Sequence, residues 1–303
     1  AIIIVYTVGE QQDVILQRGR ETMSQNYKMI IQYEGTRYDG WQKQGNTENT
    51  IQGKLEKVLE RMTGFPVEVH GSGRTDAGVH AAGQVANFHL PDSWKPDTAV
   101  EHESVADERQ REKSEAARTA DGRNEVIAAW IKAYLNQYLP DDIAVTELTP
   151  APERFHSRLS AVKKIYTYRI ETGAKRDVFS RRTCYGLGQA LDAKKMQTAA
   201  DLLCGTHDYK SFCGNKKMKK STVRTIYRIM VKQEPGSSLV KLEFEGTGFL
   251  QNMVRILTGT LIEVGLGKRD AGSMPQILAA LDRQAAGYTA PAEGLCLQQV
   301  FYS

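Results

Sequence analysis

The sequence predicts an α+β protein built from two similar halves. Each half contains the same order of elements (strand, helix, strand, strand, helix, strand), and several of its turns contain glycine. This βαββαβ order is that of a ferredoxin-like unit. The chain of 303 residues is 41% hydrophobic and 25% charged, which suits two ordinary globular units. Two units side by side predict an extended antiparallel sheet, with helices on one face and a cleft on the other.

The first half follows from the spacing of apolar residues between residues 27 and 148. Residues 27–35 (YKMIIQYEG) have the composition of a strand and lead into a glycine-rich turn. In the segment 49–64 the apolar residues fall on one helical face, and a glycine marks the end of the helix. The remaining elements are strands at 66–70 and 84–90, a helix at 124–139 and a short strand at 142–148.

The second half repeats this order with little visible sequence similarity to the first. A strand at 163–171 precedes a helix at 192–205, and a hairpin turns at the residues PGS. The hairpin strands are 223–234 and 238–246, the second helix is 249–265, and the last strand is 294–302. The predicted domains are therefore residues 23–150 and residues 151–303.

Two segments fall outside this pattern. Residues 1–22 precede Met23, whose surroundings are typical of a natural start, so we interpret them as an upstream extension that is not part of the fold. Residues 100–123 are almost wholly polar and of mixed charge, and such a segment cannot bury enough apolar surface to form a core. We interpret this second segment as a polar insertion within the first half.

Composition limits the classes of function. The formal net charge of +4 is too small to indicate a partner, so the clustering of basic residues matters more. Four cysteines form no CxxC pair, which favours free thiols in a reducing cytoplasm over disulfides or zinc. The apolar run that starts at Ile2 is far shorter than the ~20 residues that span a bilayer. The sequence predicts no membrane segment and no metal site.

The segment GSGRTDAGVH, residues 71–80, is the first candidate site. Its glycine spacing does not fit a dinucleotide-binding or P-loop motif, and the histidines nearby lack the spacing of zinc ligands. Asp76 could cap a turn and pair with Arg74, or it could be presented to a ligand from a loop between two strands. The local residues leave these two alternatives about equal.

Basic residues and tyrosines cluster in the second half. Lys164, Tyr166 and Tyr168 share one face of the predicted strand, and Lys163 precedes them. Bases stack on aromatic rings and phosphates pair with cations, although a strand with one buried face explains this segment alone equally well. A second basic run extends over residues 216–228. Together with Arg181 and Arg182, the two runs favour a nucleic-acid surface.

Arg255 interrupts an otherwise apolar helix. An arginine in such a position is seldom buried without a carboxylate or phosphate partner. Glu263 lies two turns away, too far for a contact between adjacent turns. We therefore expect the partner to come from another element, and Asp76 is the obvious candidate.

Several ordered motifs resemble the tRNA pseudouridine synthase A family. GSGRTDAGVHAAGQVANF is similar to the family's signature, and YEGTRYDGWQKQ and RFHSRLSAVKKIYTYRI are similar to its opening and middle blocks. VRTI, GFLQNMVRILTGTLIEVG and APAEGLCLQQVFY resemble the later blocks, in the same order. The resemblance runs from about Tyr27 to Tyr302 and lapses at residues 1–22 and around 100–123.

The resemblance implies roles for individual residues. Asp76 would be the catalytic carboxylate, Arg74 would help to displace the target nucleotide, Tyr166 would contact the base, and Arg255 would pair with Asp76. Such a cation is expected to lower the pKa of Asp76, and the glycines are expected to keep the backbone clear for the nucleotide. The remaining RNA-binding candidates are His156, Arg158, Lys163, Lys164, Lys219, Lys220 and Arg224.

The implied activity is isomerisation of uridine to pseudouridine in the anticodon stem-loop of tRNA, at family positions 38–40. The family needs no cofactor or metal and acts as a homodimer. The alternatives are a synthase with a broader set of RNA targets and a tRNA-binding module without catalysis on the same scaffold. Whether Asp76 attacks C1′ or removes the C2′ proton stays open at this point.

Overall fold

A computed structural model describes residues 24–96, 120–175, 177–215 and 217–303. The first half comprises β1 (Ser24–Tyr33), α1 (Ile51–Thr63), β2 (His70–Gly71), β3 (His80–Pro91), α2 (Ala120–Tyr138) and β4 (Ile143–Ala151). The predicted extension at 1–22 and most of the predicted insertion lie outside the described residues. Helix α2 begins at Ala120, within the range that the sequence assigns to the insertion.

The second half comprises β5 (Ala161–Glu171), β6 (Tyr185–Gly186), α3 (Ala193–Asp201), β7 (Gly205–Asp208), β8 (Val223–Gln233), β9 (Leu239–Gly246), α4 (Met253–Gly265), α5 (Met274–Ala280) and β10 (Leu295–Tyr302). The predicted order of strands and helices is present, with the short strands β6 and β7 and the helix α5 added. Among the described residues, no helix is both long and apolar enough to cross a membrane.

The ten described strands form one sheet, in the order β4-β1-β3-β10-β5-β9-β8-β7, with β2 paired to β3 and β6 paired to β5. Strand β1 lies between β4 and β3, and β5 lies between β10 and β9 in the same way. Both halves therefore have the strand order of a ferredoxin-like unit, and the α+β prediction is confirmed. Most pairs are antiparallel, but the two halves meet through a parallel pair, β3 with β10.

One face of the sheet is buried beneath the helices. Tyr166 and Tyr168 of β5 are paired with Phe244 and Leu242 of β9, so the four side chains share a face, and all are buried. On the opposite face β9 carries Glu243 and Glu245, which are only partly buried. The helices of both halves contribute to the same hydrophobic core as these tyrosines.

The cleft that contains Tyr166 lies on this helix-covered face, and residues of both halves line it. The prediction placed the cleft on the face opposite the helices, and in this detail it was wrong. The parallel pairing of β3 with β10 sets the two halves side by side, so that Asp76 of the first half and Tyr166 of the second line one cleft. Sequence periodicity identifies each half but does not encode this long-range junction.

Several element boundaries also differ from the predictions, and two of the differences have a visible cause. Residues 66–69 do not pair in the sheet because the Val69 backbone bonds to helix α1: its N–H donates to Glu56 Oε1 at 3.2 Å, and its carbonyl accepts from Gln52 Nε2 at 3.2 Å. Helix α4 begins four residues later than predicted. Asn252 adopts a left-handed backbone conformation (φ 57°), which turns the chain before the helix starts.

Candidate active site

Asp76 lies on the loop that joins β2 to β3. The loop is held from both ends: Gln84 of β3 donates to the Gly73 carbonyl at 3.0 Å and accepts from Ser72 Oγ at 2.6 Å. Tyr33 and Thr75 share a hydrogen bond of 2.8 Å, and Trp41 N–H donates to the Thr75 carbonyl at 3.0 Å. These contacts fix the backbone before Asp76, and the Gly78 N–H, which donates to the Tyr38 carbonyl at 3.2 Å, fixes it after Asp76.

The glycines of this loop serve packing and backbone geometry. A Cβ on Gly71 would lie 2.4 Å from the Trp41 ring, and a Cβ on Gly73 would lie 2.7 Å from Lys164 Nζ. Gly78 has a φ of +77°, which a residue with a side chain rarely adopts. Gly71 and Gly73 therefore leave room for Trp41 and Lys164, whereas the sequence interpretation assigned that space to the nucleotide.

Asp76 and Arg255 approach each other as expected from the isolated arginine. Arg255 Nη1 lies 3.9 Å from Asp76 Oδ2, a long ion pair. The guanidinium is fixed by donating to the Ala290 carbonyl at 2.7 Å and to Asn252 Oδ1 at 2.9 Å. Arg255 belongs to the first turn of α4, and the Asn252 N–H hydrogen-bonds to Asp76. The carboxylate therefore faces the amino-terminal end of a helix, where negative charge is stabilised.

Arg74 does not pair with Asp76. Its Nε donates to Gln42 Oε1 at 3.0 Å, and its side chain is exposed at the edge of the cleft. Within the described residues the only ion pair of Asp76 is with Arg255. The alternative in which Asp76 pairs with Arg74 at the surface therefore does not fit the geometry.

Burial dominates the electrostatics of Asp76. Desolvation raises the pKa of this carboxyl group above its usual value, while Arg255 and the Asn252 N–H oppose the rise. The sequence predicted a lowered pKa because it considered the cation alone. The prediction was wrong in its net direction, since removing the carboxylate from water outweighs an arginine at 3.9 Å.

Tyr166 faces the same cleft from strand β5. Its ring is buried and meets Phe249 edge-on, with ring centroids 5.3 Å apart and an angle of 84° between the ring planes. Burial raises the pKa of the Tyr166 hydroxyl, and the nearby Asp76 carboxylate adds to the rise, so the phenol stays protonated. No described residue accepts from this hydroxyl, which leaves it available to a ligand.

Lys164 lines the cleft from the same face of β5, two residues before Tyr166. Its Nζ donates to the Ser72 carbonyl at 2.6 Å, so it also supports the loop that carries Asp76. Burial, with a smaller contribution from Arg158, lowers the pKa of Lys164 to about 8. Within the described residues no carboxylate pairs with Lys164. It is a cation held in the cleft wall by a neutral acceptor, and it can bind an anionic ligand.

The cleft has a volume of about 460 Å³. It brings together six residues that the sequence selected: Arg74, Asp76, Arg158, Lys164, Tyr166 and Arg224. Within the described residues Arg158 and Arg224 have no carboxylate partner, so the cleft is cationic around a single, partly buried acid. Such a cleft is suited to a polyanion such as RNA, in which the phosphates are charged and the reacting base is neutral.

Four predicted RNA-binding residues lie elsewhere. Lys163 points to the opposite face of β5, where its Nζ donates to Glu245 at 2.8 Å and lies over the Phe301 ring. Lys219 and Lys220 line a neighbouring depression of about 480 Å³. His156 stacks on His70 in a further cleft. For these four residues RNA contact stays a prediction.

Sequence reasoning missed several residues that shape the site. Phe249 was placed on the apolar helix, but it lies in the turn before α4 and packs against Tyr166. Asn252 was not selected, although it contacts both Asp76 and Arg255. An asparagine just before a helix is a signal for such a turn, because asparagine tolerates the left-handed conformation.

Comparison with known proteins gives consistent matches over most of the chain. A family model described as tRNA pseudouridine synthase matches residues 29–159 and 199–303. The chain is 41% identical over 275 residues to a tRNA pseudouridine synthase A 2 of Bacillus cereus, covering 91% of this chain and 98% of that protein. It is 43% identical over 281 residues to tRNA pseudouridine synthase A of Geobacillus kaustophilus, covering 92% and 95%.

Proposed function

This chain belongs to the tRNA pseudouridine synthase family, and we propose that it isomerises uridine to pseudouridine in tRNA with Asp76 as the reacting carboxylate. The assignment of Asp76 as this carboxylate rests on one observation. Asp76 is the only carboxylate that lines the cationic cleft, among the residues described, and it faces both Arg255 and the buried tyrosine of β5.

The reaction needs no electron transfer. It breaks the bond between ribose C1′ and uracil N1 and joins C1′ to C5. The hydrogen on C5 leaves as a proton, and N1 gains a proton. An ionised carboxylate can start this sequence by attacking C1′ or by removing the C2′ proton to give a glycal.

The environment of Asp76 suits either role. Partial burial leaves the carboxylate poorly solvated, which makes it a stronger base and a better nucleophile than in water. Arg255 and the Asn252 N–H offset enough of this penalty to keep a fraction of the carboxyl group ionised. We expect the ionised fraction, and with it the rate, to fall as the pH is lowered.

The other cleft residues would hold the nucleotide. A uridine must leave its stack at a cost of a few kcal/mol before it reaches Asp76. The Tyr166–Phe249 pair offers an aromatic surface for the base, and the Tyr166 hydroxyl, which bonds to no described residue, can bond to the substrate. We expect Arg74, which is exposed at the cleft edge and donates to Gln42, to occupy the gap that the uridine leaves.

The cations explain why the substrate would be RNA rather than free uridine. Lys164, Arg158 and Arg224 line the cleft and pair with no carboxylate in the described part of the chain. Phosphate groups on both sides of the target nucleotide would neutralise them, so affinity is expected to fall steeply with salt. We extend the proposal to uridines of the anticodon stem-loop and to a homodimer acting on one tRNA, as the resemblance implies.

Pseudouridine mapping tests this function. Transcribed tRNAs would be incubated with the wild-type protein and with Asp76→Asn, and pseudouridine would be located by chemical labelling and primer extension. The proposal expects modification in the anticodon stem-loop with the wild type only. Modification only outside the anticodon stem-loop would contradict the proposed target, and tight tRNA binding without modification would instead support a binding module.

A further inference from the structure

A second cleft, of about 380 Å³, adjoins the first. Gly73, Arg74 and Arg158 line both clefts and therefore form the boundary between them. The second cleft lies beside β2 and helix α1. The chemistry proposed for Asp76 does not involve this second cleft.

One wall of the second cleft is a stacked pair of imidazoles. The rings of His70 and His156 have centroids 5.2 Å apart and an interplanar angle of 29°. Both rings are only partly buried, so the pair offers aromatic surface to the cleft. Histidine is among the side chains on which unstacked bases of RNA are held.

The pair is held in place by the backbone around it. The Arg158 N–H donates to His156 Nδ1 at 3.1 Å, which leaves the proton of the neutral ring on Nε2. Ser157 Oγ donates to the His70 carbonyl, and the Ser157 N–H donates to Asn87 Oδ1 at 2.9 Å. The segment that carries His156 is thus tied to both β2 and β3, and the rings are positioned before any ligand arrives.

Positive charge borders the imidazole pair. Arg74, Arg158 and Lys220 line the cleft, and none of them has a carboxylate partner within the described residues. The acid nearest the pair is Glu68, whose carboxylate lies 3.7 Å from His70 Nδ1 and is largely exposed. An aromatic wall bordered by unpaired cations matches a nucleotide, which combines a flat base with a phosphate.

We propose that the second cleft binds the nucleotide next to the target uridine in the RNA strand, with its base against the His70–His156 pair and the linking phosphate at Arg74 and Arg158. Consecutive nucleotides share one phosphate, and Arg74 and Arg158 stand at the boundary that this phosphate must cross. The subsite rests on the proposed function, because it assumes that a uridine occupies the first cleft. It makes recognition depend on two nucleotides rather than one.

The test pairs protein variants with altered RNA. Stem-loop RNAs would carry an abasic site immediately 5′ or 3′ of the uridine that the wild type modifies. For the wild type, the abasic change on one side is expected to raise Kd about 5- to 100-fold, the range of base–aromatic stacking. His156→Ala is expected to bind intact RNA more weakly than the wild type by a similar factor. It is expected to bind the abasic RNA only slightly more weakly than the wild type does. His156→Phe, which keeps an aromatic ring, is expected to retain wild-type affinity within about threefold.

Matched controls separate the possible failures. His89→Ala removes an exposed histidine that lines neither cleft and is expected to leave Kd unchanged. His156→Ala could instead weaken binding by the same factor on intact RNA and on both abasic RNAs, with an unchanged melting temperature. That result would overturn the subsite while leaving the proposed function intact. A wild type that modifies no RNA would refute the proposed function and, with it, the subsite that depends on a uridine in the first cleft.

Discussion

Replacing Arg255 by methionine should make activity more sensitive to acid. The change removes the cation that lies 3.9 Å from Asp76 while keeping an unbranched side chain in the apolar helix. Both side chains are partly exposed, so an effective dielectric constant of about 40 is appropriate, which gives an attraction of about 2 kcal/mol. The ionised form of Asp76 loses this stabilisation in the variant, and its pKa rises further above the usual value.

The consequence appears in the pH profile of kcat/KM for tRNA. On the acid side the ionised fraction is proportional to the acid dissociation constant, so about 2 kcal/mol corresponds to a rate lower by about 30-fold. The difference should narrow as the pH rises, because Asp76 ionises in both proteins. Tritium release from C5-labelled tRNA, measured between pH 5 and pH 9, would give both profiles.

Two further variants control for other effects of the change. Arg255→Lys keeps the charge but loses the guanidinium group that donates to Ala290 and Asn252. It should therefore shift the pH profile of kcat/KM less than Arg255→Met does. Arg269→Met removes an arginine that pairs with Glu263 at 2.8 Å and should not shift the profile. A uniform loss of rate for Arg255→Met at every pH would refute the electrostatic role of Arg255.

Three other predictions follow from the same site. Tyr166→Phe should lower kcat about 5- to 10-fold, the worth of one hydrogen bond to substrate, whereas Tyr166→Leu should lower it at least about 100-fold because the aromatic surface is lost. Lys164 loses its charge above its pKa of about 8, so the Kd for tRNA should rise between pH 7 and pH 9 in the wild type but not in Lys164→Met. Asp76→Asn should raise the melting temperature at pH 7, where burial of the wild-type carboxylate is unfavourable, and the difference should vanish below the unfolded-state pKa.

Each of these has a contradicting result. Equal rates for Tyr166→Phe and Tyr166→Leu would exclude stacking on the ring. A parallel rise of Kd with pH in Lys164→Met would assign the titration to another group. A lower melting temperature for Asp76→Asn at pH 7 would mean that Arg255 and the Asn252 N–H outweigh burial, contrary to the direction of the pKa of Asp76.

The two halves could be predicted because their signals are local. Apolar spacing and turn residues identify helices and strands segment by segment, and the strand order then follows from the βαββαβ pattern. The position of the cleft could not be predicted in this way. It depends on the parallel pairing of β3 with β10, which joins segments far apart in the chain, such as His80 and Cys296.

The candidate site shows the same division between local and tertiary information. The position of Arg255 inside an apolar helix was enough to predict a partner, Asp76, because a buried cation needs an anion. The direction of the Asp76 pKa was missed because burial is a property of the assembled cleft. Strand alternation separates Lys163 from Lys164, but the contact of Lys163 with Glu245 required the neighbouring strand to be in place.

If the Asp76 carboxylate carries out the isomerisation, single-turnover tritium release from C5-labelled tRNA should be almost lost in Asp76→Asn. We expect a release rate at least about 1,000-fold below that of the wild type, with the Kd for tRNA changed by less than about threefold, since the phosphate contacts remain. Tritium release at the wild-type rate by the folded Asp76→Asn protein would contradict this role of the carboxylate.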